Sequence, residues 1–263
     1  MLRLSNFQAA SSQQSPMPIA DNERMFPALS VNPQAAPELR VRQRPLFLWA
    51  GALFVAGDVI FWLMFAAVLS DSGLATLDST VHSALVDSRS AIATALLAAV
   101  STVTSPTAMT AIGAVLAGAW AIWKRELWRP AVLMGGMVLA LVLCTVIKFE
   151  VSRSRPPSSD FLLGPDDALS FPSGHTLGAG IFALVLTYLL VSRSGTRTTA
   201  VLAYMGAALF ALLVAFSRLY LGYHWLTDVV ASLGLALGVT GLAIFVDAAR
   251  HGTPGANTVS PRD

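Results

Sequence analysis

Long uncharged apolar runs dominate this chain and decide what surrounds it. From Pro45 to Ser70 only Asp58 interrupts an apolar stretch, and uncharged runs recur at 106–123, 130–147, 168–192, 198–217 and 229–246. A helix rises about 1.5 Å per residue, so each run can cross a hydrocarbon core of about 30 Å. Only 12% of the residues are charged and 55% are apolar, against about 25% charged in soluble domains. The expected fold class is all-α: a polytopic membrane protein with six transmembrane helices. A formal net charge of +2 gives no footprint for nucleic acid. The single cysteine, Cys144, lies in an apolar run and reads as a buried, inert thiol.

Punctuation and charge divide the chain further. Residues 1–45 are rich in Ser, Gln, Pro and Asn, hold no apolar run of signal-peptide length, and end with Arg40, Arg42 and Arg44. They read as a disordered cytoplasmic tail, followed by a six-span domain over 46–247 and a cytoplasmic C-terminal tail over 248–263. Residues 71–89 read as a polar loop. Between Arg89 and Lys124 lie 34 uncharged residues, too many for one crossing. A short interfacial helix ending near Thr104, with Ser105-Pro106 restarting the chain, resolves this. Trp120, Trp123 and Trp128 bracket Lys124, Arg125 and Arg129 as an aromatic belt around a basic turn. With both termini inside, twelve of the seventeen Lys and Arg lie on the cytoplasmic side, and the exceptions are Arg89, Lys148, Arg153, Arg155 and Arg218. Most of these exceptions fall in two loops, which points to a function that keeps them there. Asp58, alone in mid-span, reads as a bundle-facing residue bonded to a neighbouring helix.

Chemistry concentrates in Ser217–Asp228. If Trp225 onward is helical, His224 and Asp228 stand four apart on one face. The carboxylate then orients one ring nitrogen and leaves the other free as a nucleophile. Arg218, across a turn with Gly222 as its flexible point, offers a planar fork for an anion, with phosphate the first choice. The loop after the third span carries Lys148, Arg153 and Arg155-Pro156. The fourth span opens at Phe171-Pro172-Ser173-Gly174-His175. Pro172 suits a first helical turn, Ser173 and Gly174 leave backbone N–H groups free, and the helix dipole favours an anion there. His175 is a candidate proton donor.

These residues carry a resemblance. Lys148, six residues, Arg155-Pro156; then Pro172-Ser173-Gly174-His175; then Ser217-Arg218, five residues, His224, three residues, Asp228: together they match all three motifs of the type 2 phosphatidic acid phosphatase (PAP2) superfamily. No motif position departs from the pattern, and the six-span layout resembles its membrane lipid phosphatase branch. The resemblance implies a PAP2-type helical bundle in which His224 attacks phosphorus to give a phosphohistidine and Asp228 orients it. His175 protonates the leaving oxygen and later activates water. Lys148, Arg155, Ser173, Gly174 and Arg218 cradle the phosphoryl oxygens. It implies no metal and no other cofactor, a lipid substrate within the bilayer, and a site on the extracytoplasmic side of a cell membrane. Phosphatidic acid, phosphatidylglycerol phosphate and an isoprenyl diphosphate all remain open as substrates.

Plainer readings stand beside these. His82 and His251 are expected at the surface, Glu150 and Arg153 in a solvated or loop-bracing role, and Tyr220, Tyr223 and Trp225 as interfacial anchors. Gly234, Gly238 and Gly241 are expected to permit close helix packing. A phosphotransferase using the same motifs and a non-enzymatic membrane protein are the alternative classes; a soluble vanadate haloperoxidase shares the motifs but not the six spans.

Overall fold

A computed structural model describes residues 35–193 and 195–251, with side chains for 45–193 and 195–250. Its α-helices run, in order, α1 Ala35–Ser70, α2 Leu77–Asp87, α3 Ala91–Val103, α4 Pro106–Lys124, α5 Trp128–Val151, α6 Gly174–Val191, α7 Arg197–Tyr220 and α8 Leu226–His251. Six of them, α1 and α4 to α8, are long and apolar enough to cross a membrane. The expected six-span, all-helical architecture is therefore present. The break near residue 104 also falls where it was expected: Ser105 caps α4, accepting from the Ala108 amide at 3.3 Å, and Pro106 occupies the first turn, where a missing N–H costs nothing.

Other boundaries differ from expectation. α1 begins at Ala35, ahead of Pro45; residues 1–34 and 252–263 of the expected tails lie outside the described residues. The 71–89 segment is not a loop but contains α2, whose Asp78 and His82 are buried. Four residues apart, they share one face of the helix. Pro172 lies outside α6, preceding its N-cap Ser173 and joined to Phe171 by a cis peptide.

α6 is the central strut. Leu177, Ile181, Val185 and Leu189, one turn apart, are fully buried against α5 and α8. α1 closes on α8 through small residues: a Cβ on Gly57 would sit 2.4 Å from the Gly234 carbonyl, and one on Gly241 2.5 Å from that of Ala50. Backbone approach of this kind drives association where lipid offers no hydrophobic gain. Gly57 takes the seam, so Asp58, one position on, is turned off it. Asp58 is exposed, lines an apolar groove with Trp62, Leu143 and Gly234, and makes no hydrogen bond or ion pair among the described residues. The expected bond to a neighbouring helix is absent. At the end opposite the motif loops, Trp128 and Tyr188 donate to Asp247 at 2.7 and 2.8 Å, and Arg129 to the Leu189 carbonyl at 2.6 Å. Cys144 is buried, as expected.

Candidate active site

The three motifs meet at one end of the bundle, where α5 and α7 finish and α6 and α8 begin. His224 sits in the turn between α7 and α8. Gly222 in that turn has φ +87°, and a Cβ there would stand 2.5 Å from the Asp160 carbonyl. It is a fixed left-handed position and not the flexible point expected from sequence. α8 then opens with one half of a capping box: Asp228 reaches back to accept from the Trp225 amide at 2.9 Å, as a third-position acid does. The same oxygen faces His224 Nδ1 at 3.3 Å, leaving Nε2 turned toward Arg155 Nη1, also 3.3 Å away. His224 is 2% exposed. Burial holds its imidazole far below the usual range, down to about 3, with Asp228 pulling in the opposite direction. The ring is neutral at neutral pH, with a lone pair available on its free nitrogen.

Arg155 and Arg218 lie within electrostatic reach of that ring. Arg155 donates to the Tyr223 carbonyl at 2.7 Å and the Ala168 carbonyl at 2.5 Å, and pairs with Asp166 at 2.9 Å; burial lowers its basicity. Lys148 donates to the Leu169 carbonyl. Arg218 is buried over the Tyr223 ring at 4.4 Å and donates to Ser101 at 2.5 Å, while its Nε has no partner among the described residues. An orphaned guanidinium donor beside a buried imidazole is a ready contact for an oxyanion. His175, half-buried in the first turn of α6, lies within electrostatic reach of His224, Arg155 and Arg218.

Ser173 departs from its expected role. Its amide donates to Ser232 at 2.8 Å and its hydroxyl accepts from Thr176 at 3.1 Å, so it serves as the N-cap of α6 and its N–H is not free. The amides of Gly174 and His175, in the first turn, have no intrahelical acceptor and leave the positive helix end open to an anion.

A second set of residues carries no motif signal. Arg153 bridges Asp228 and Asp78, 2.6 Å from each, and also donates to Thr227 at 2.7 Å. Asp78 in turn accepts from the Thr227 amide and hydroxyl at 2.9 and 2.7 Å. Ser170 donates to Asp228 as well. Arg153 is thus a loop brace, as one of its two readings had it, and not a solvated one. His82 is not a surface residue: it pairs with Asp160 at 2.9 Å, and that hydrogen bond holds the Asp160 carboxyl below the usual carboxylate range. Arg89 donates to the Asp160 carbonyl at 2.8 Å and the Tyr220 carbonyl at 3.1 Å. Tyr220 and Tyr223 are buried. Tyr223 bonds Leu163 and Gly164 at 2.8 and 2.7 Å, so these rings brace loops and are not interfacial anchors. The one available signal was the Asp78, His82 spacing, whose partners lie too far along the chain to be read from it.

Comparison with known proteins follows the same residues. The model of the PAP2 superfamily matches residues 129–250, the stretch that contains every motif position. Over these residues the chain is similar to the PAP2 superfamily. Phosphatidylglycerophosphatase B of Bacillus subtilis (strain 168) is 28% identical over 188 residues, which cover 68% of this chain and 87% of that protein. An undecaprenyl-diphosphatase of Sulfolobus acidocaldarius is 31% identical over 130 residues, 48% of this chain and 59% of that protein. A decaprenylphosphoryl-5-phosphoribose phosphatase of Mycolicibacterium smegmatis is 37% identical over 109 residues, 41% of this chain and 53% of that protein. The fold resembles the crystal structure of a transmembrane PAP2 type phosphatidylglycerolphosphate phosphatase from Bacillus subtilis, with TM-score 0.66 and 22% identity over 73% of this chain and 96% of that one.

Proposed function

We propose that this protein is a PAP2-type integral membrane lipid phosphatase that removes a terminal phosphate or diphosphate from a lipid at the extracytoplasmic face. The carrying observation is the arrangement around His224: Nδ1 on a buried carboxylate, Nε2 toward a guanidinium, and an unpartnered Arg218 donor nearby. His224 Nε2 attacks phosphorus, forming a nitrogen–phosphorus bond as the bond to the lipid oxygen breaks. His175 gives that oxygen its proton. The deprotonated His175 then takes a proton from water, whose oxygen attacks the phosphohistidine and releases phosphate and His224. Lys148, Arg155, Arg218 and the open amides of α6 stabilise the charge on the phosphoryl oxygens, the part that magnesium plays elsewhere.

The relatives' names support lipid phosphates as the substrate class: a phosphatidylglycerophosphate, an undecaprenyl diphosphate and a decaprenylphosphoryl-5-phosphoribose. The outward face is supported by Lys124, Arg125, Arg129, Arg193 and Arg197, which cluster at the helix ends away from the motifs. The test is phosphate release by the detergent-purified protein in EDTA, over phosphatidic acid, phosphatidylglycerol phosphate and isoprenyl mono- and diphosphates. Release that survives EDTA and vanishes in His224→Ala is expected. No release from any lipid, with phosphate appearing on an added acceptor, would replace hydrolysis with phosphotransfer.

A further inference from the structure

The cation cluster already holds an anion of its own. Arg155 spends two donors on backbone carbonyls, and its Nη2 holds the Asp166 carboxylate at 2.9 Å. That guanidinium is also the one that faces the free nitrogen of His224. Asp166 lies within Coulombic reach of Lys148, Arg155 and Arg218 together, the three cations assigned to the phosphoryl oxygens. Its side chain is 31% exposed while that of Arg155 is 9% exposed, so the pair stands at the mouth of the site. The segment that carries it is short and held at both ends. Tyr223 binds the Gly164 carbonyl at 2.7 Å, Gly164 has φ +94°, and Arg155 holds the Ala168 carbonyl. The second Asp166 oxygen accepts from the Ala168 amide at 3.1 Å, a local turn that aims the carboxylate. Asp167 beside it is exposed.

We infer that Asp166 is a specificity-determining residue whose carboxylate occupies the place on Arg155 that a phosphoryl oxygen takes, so that every incoming headgroup must displace it. The inference rests on the phosphatase reading above. A terminal phosphate monoester has a second ionisation near pH 6 and is largely dianionic at neutral pH, and a diphosphate carries at least as much charge. Such groups outbid a single carboxylate for three cations. A phosphodiester headgroup carries one charge, gains no Coulombic advantage over Asp166, and is left outside. The residue thus selects terminal phosphates from a bilayer in which diesters are the common phospholipids.

The test compares Asp166→Asn with wild type and with Asp167→Asn, using the full chain in mixed micelles with matched melting temperatures. Phosphatidic acid serves as substrate and phosphatidylglycerol as competitive inhibitor. In Asp166→Asn the inhibition constant of phosphatidylglycerol falls by about two- to fivefold, the scale of a partly exposed ion pair. KM for phosphatidic acid falls less, kcat changes little, and Asp167→Asn behaves as wild type. An unchanged inhibition constant, or weaker binding of both lipids, overturns the inference. Calorimetric titration with orthovanadate separates this from failure of the phosphatase reading, since it needs no turnover. Tighter vanadate binding by Asp166→Asn than by wild type upholds the competition even if no lipid is hydrolysed, and equal or weaker binding sinks it.

Discussion

At the residue scale the protein turns on one imidazole held neutral. His224 changes from an ordinary 6.5 to about 3 on folding because burial disfavours its charged form. The folded state therefore binds fewer protons than the unfolded chain between these values. Its stability is unaffected by this group above about pH 6.5 and declines as pH falls toward 3. Melting temperature measured from pH 7.5 to 4 is expected to fall, and His224→Asn to flatten that slope. Asp228→Asn removes the group that faces Nδ1 at 3.3 Å, and kcat is expected to drop by about 10³–10⁴, as when a triad carboxylate is neutralised. His175→Gln separates the two proton transfers. With an aryl phosphate, whose leaving group needs no proton, the phosphohistidine is expected to form and persist, detectable as acid-labile, base-stable label on the protein.

At the element scale α2 and the loop after α5 act as a clasp on Asp228. Asp78 on α2 holds Arg153, and Arg153 holds Asp228. Asp78→Asn leaves Arg153 with one fewer acceptor and is expected to cost about 1–3 kcal/mol. kcat is expected to fall more than KM rises, because the Asp228 carboxylate loses its fixed orientation. Gly222→Ala places a Cβ against the Asp160 carbonyl at 2.5 Å with φ at +87°, so lower melting temperature and lost activity are expected together. The motif residues were legible because chemistry fixes their type and their spacing within short stretches. His224 and Asp228 are one helical turn apart, and Ser173 precedes a helix start. The clasp was not legible, since Arg153 meets Asp78 across 75 residues and only the packed helices bring them together. Ser173 was misread for a related reason: its amide partner, Ser232, lies 59 residues away on α8. Asp58 was misread because apolar periodicity gave the span but not which face takes the glycine seam.

At the scale of the whole molecule the spans were legible from hydropathy alone, and the division at Ser105-Pro106 from the length of one uncharged run. What hydropathy could not give is the order in which the helices surround α6. Orientation in the bilayer is open to labelling. Single cysteines at exposed Ser158 and exposed Arg125, on opposite ends of the bundle, are expected to react with a membrane-impermeant maleimide from outside and inside respectively, while buried Cys144 stays silent. The outward surface of the bundle is apolar, with Val59, Leu63, Val138, Leu209 and Phe245 exposed, so enzyme and lipid are dissolved in the same thin sheet. Asp166, pinned between Gly164 and Ala168, is a tethered ligand, and a short tether sets an effective concentration on the order of millimolar. A phosphate dissolved in water must reach that level in bulk to compete. A lipid phosphate is counted per unit area of membrane and meets the carboxylate on equal terms at whole-cell amounts that would be dilute in solution.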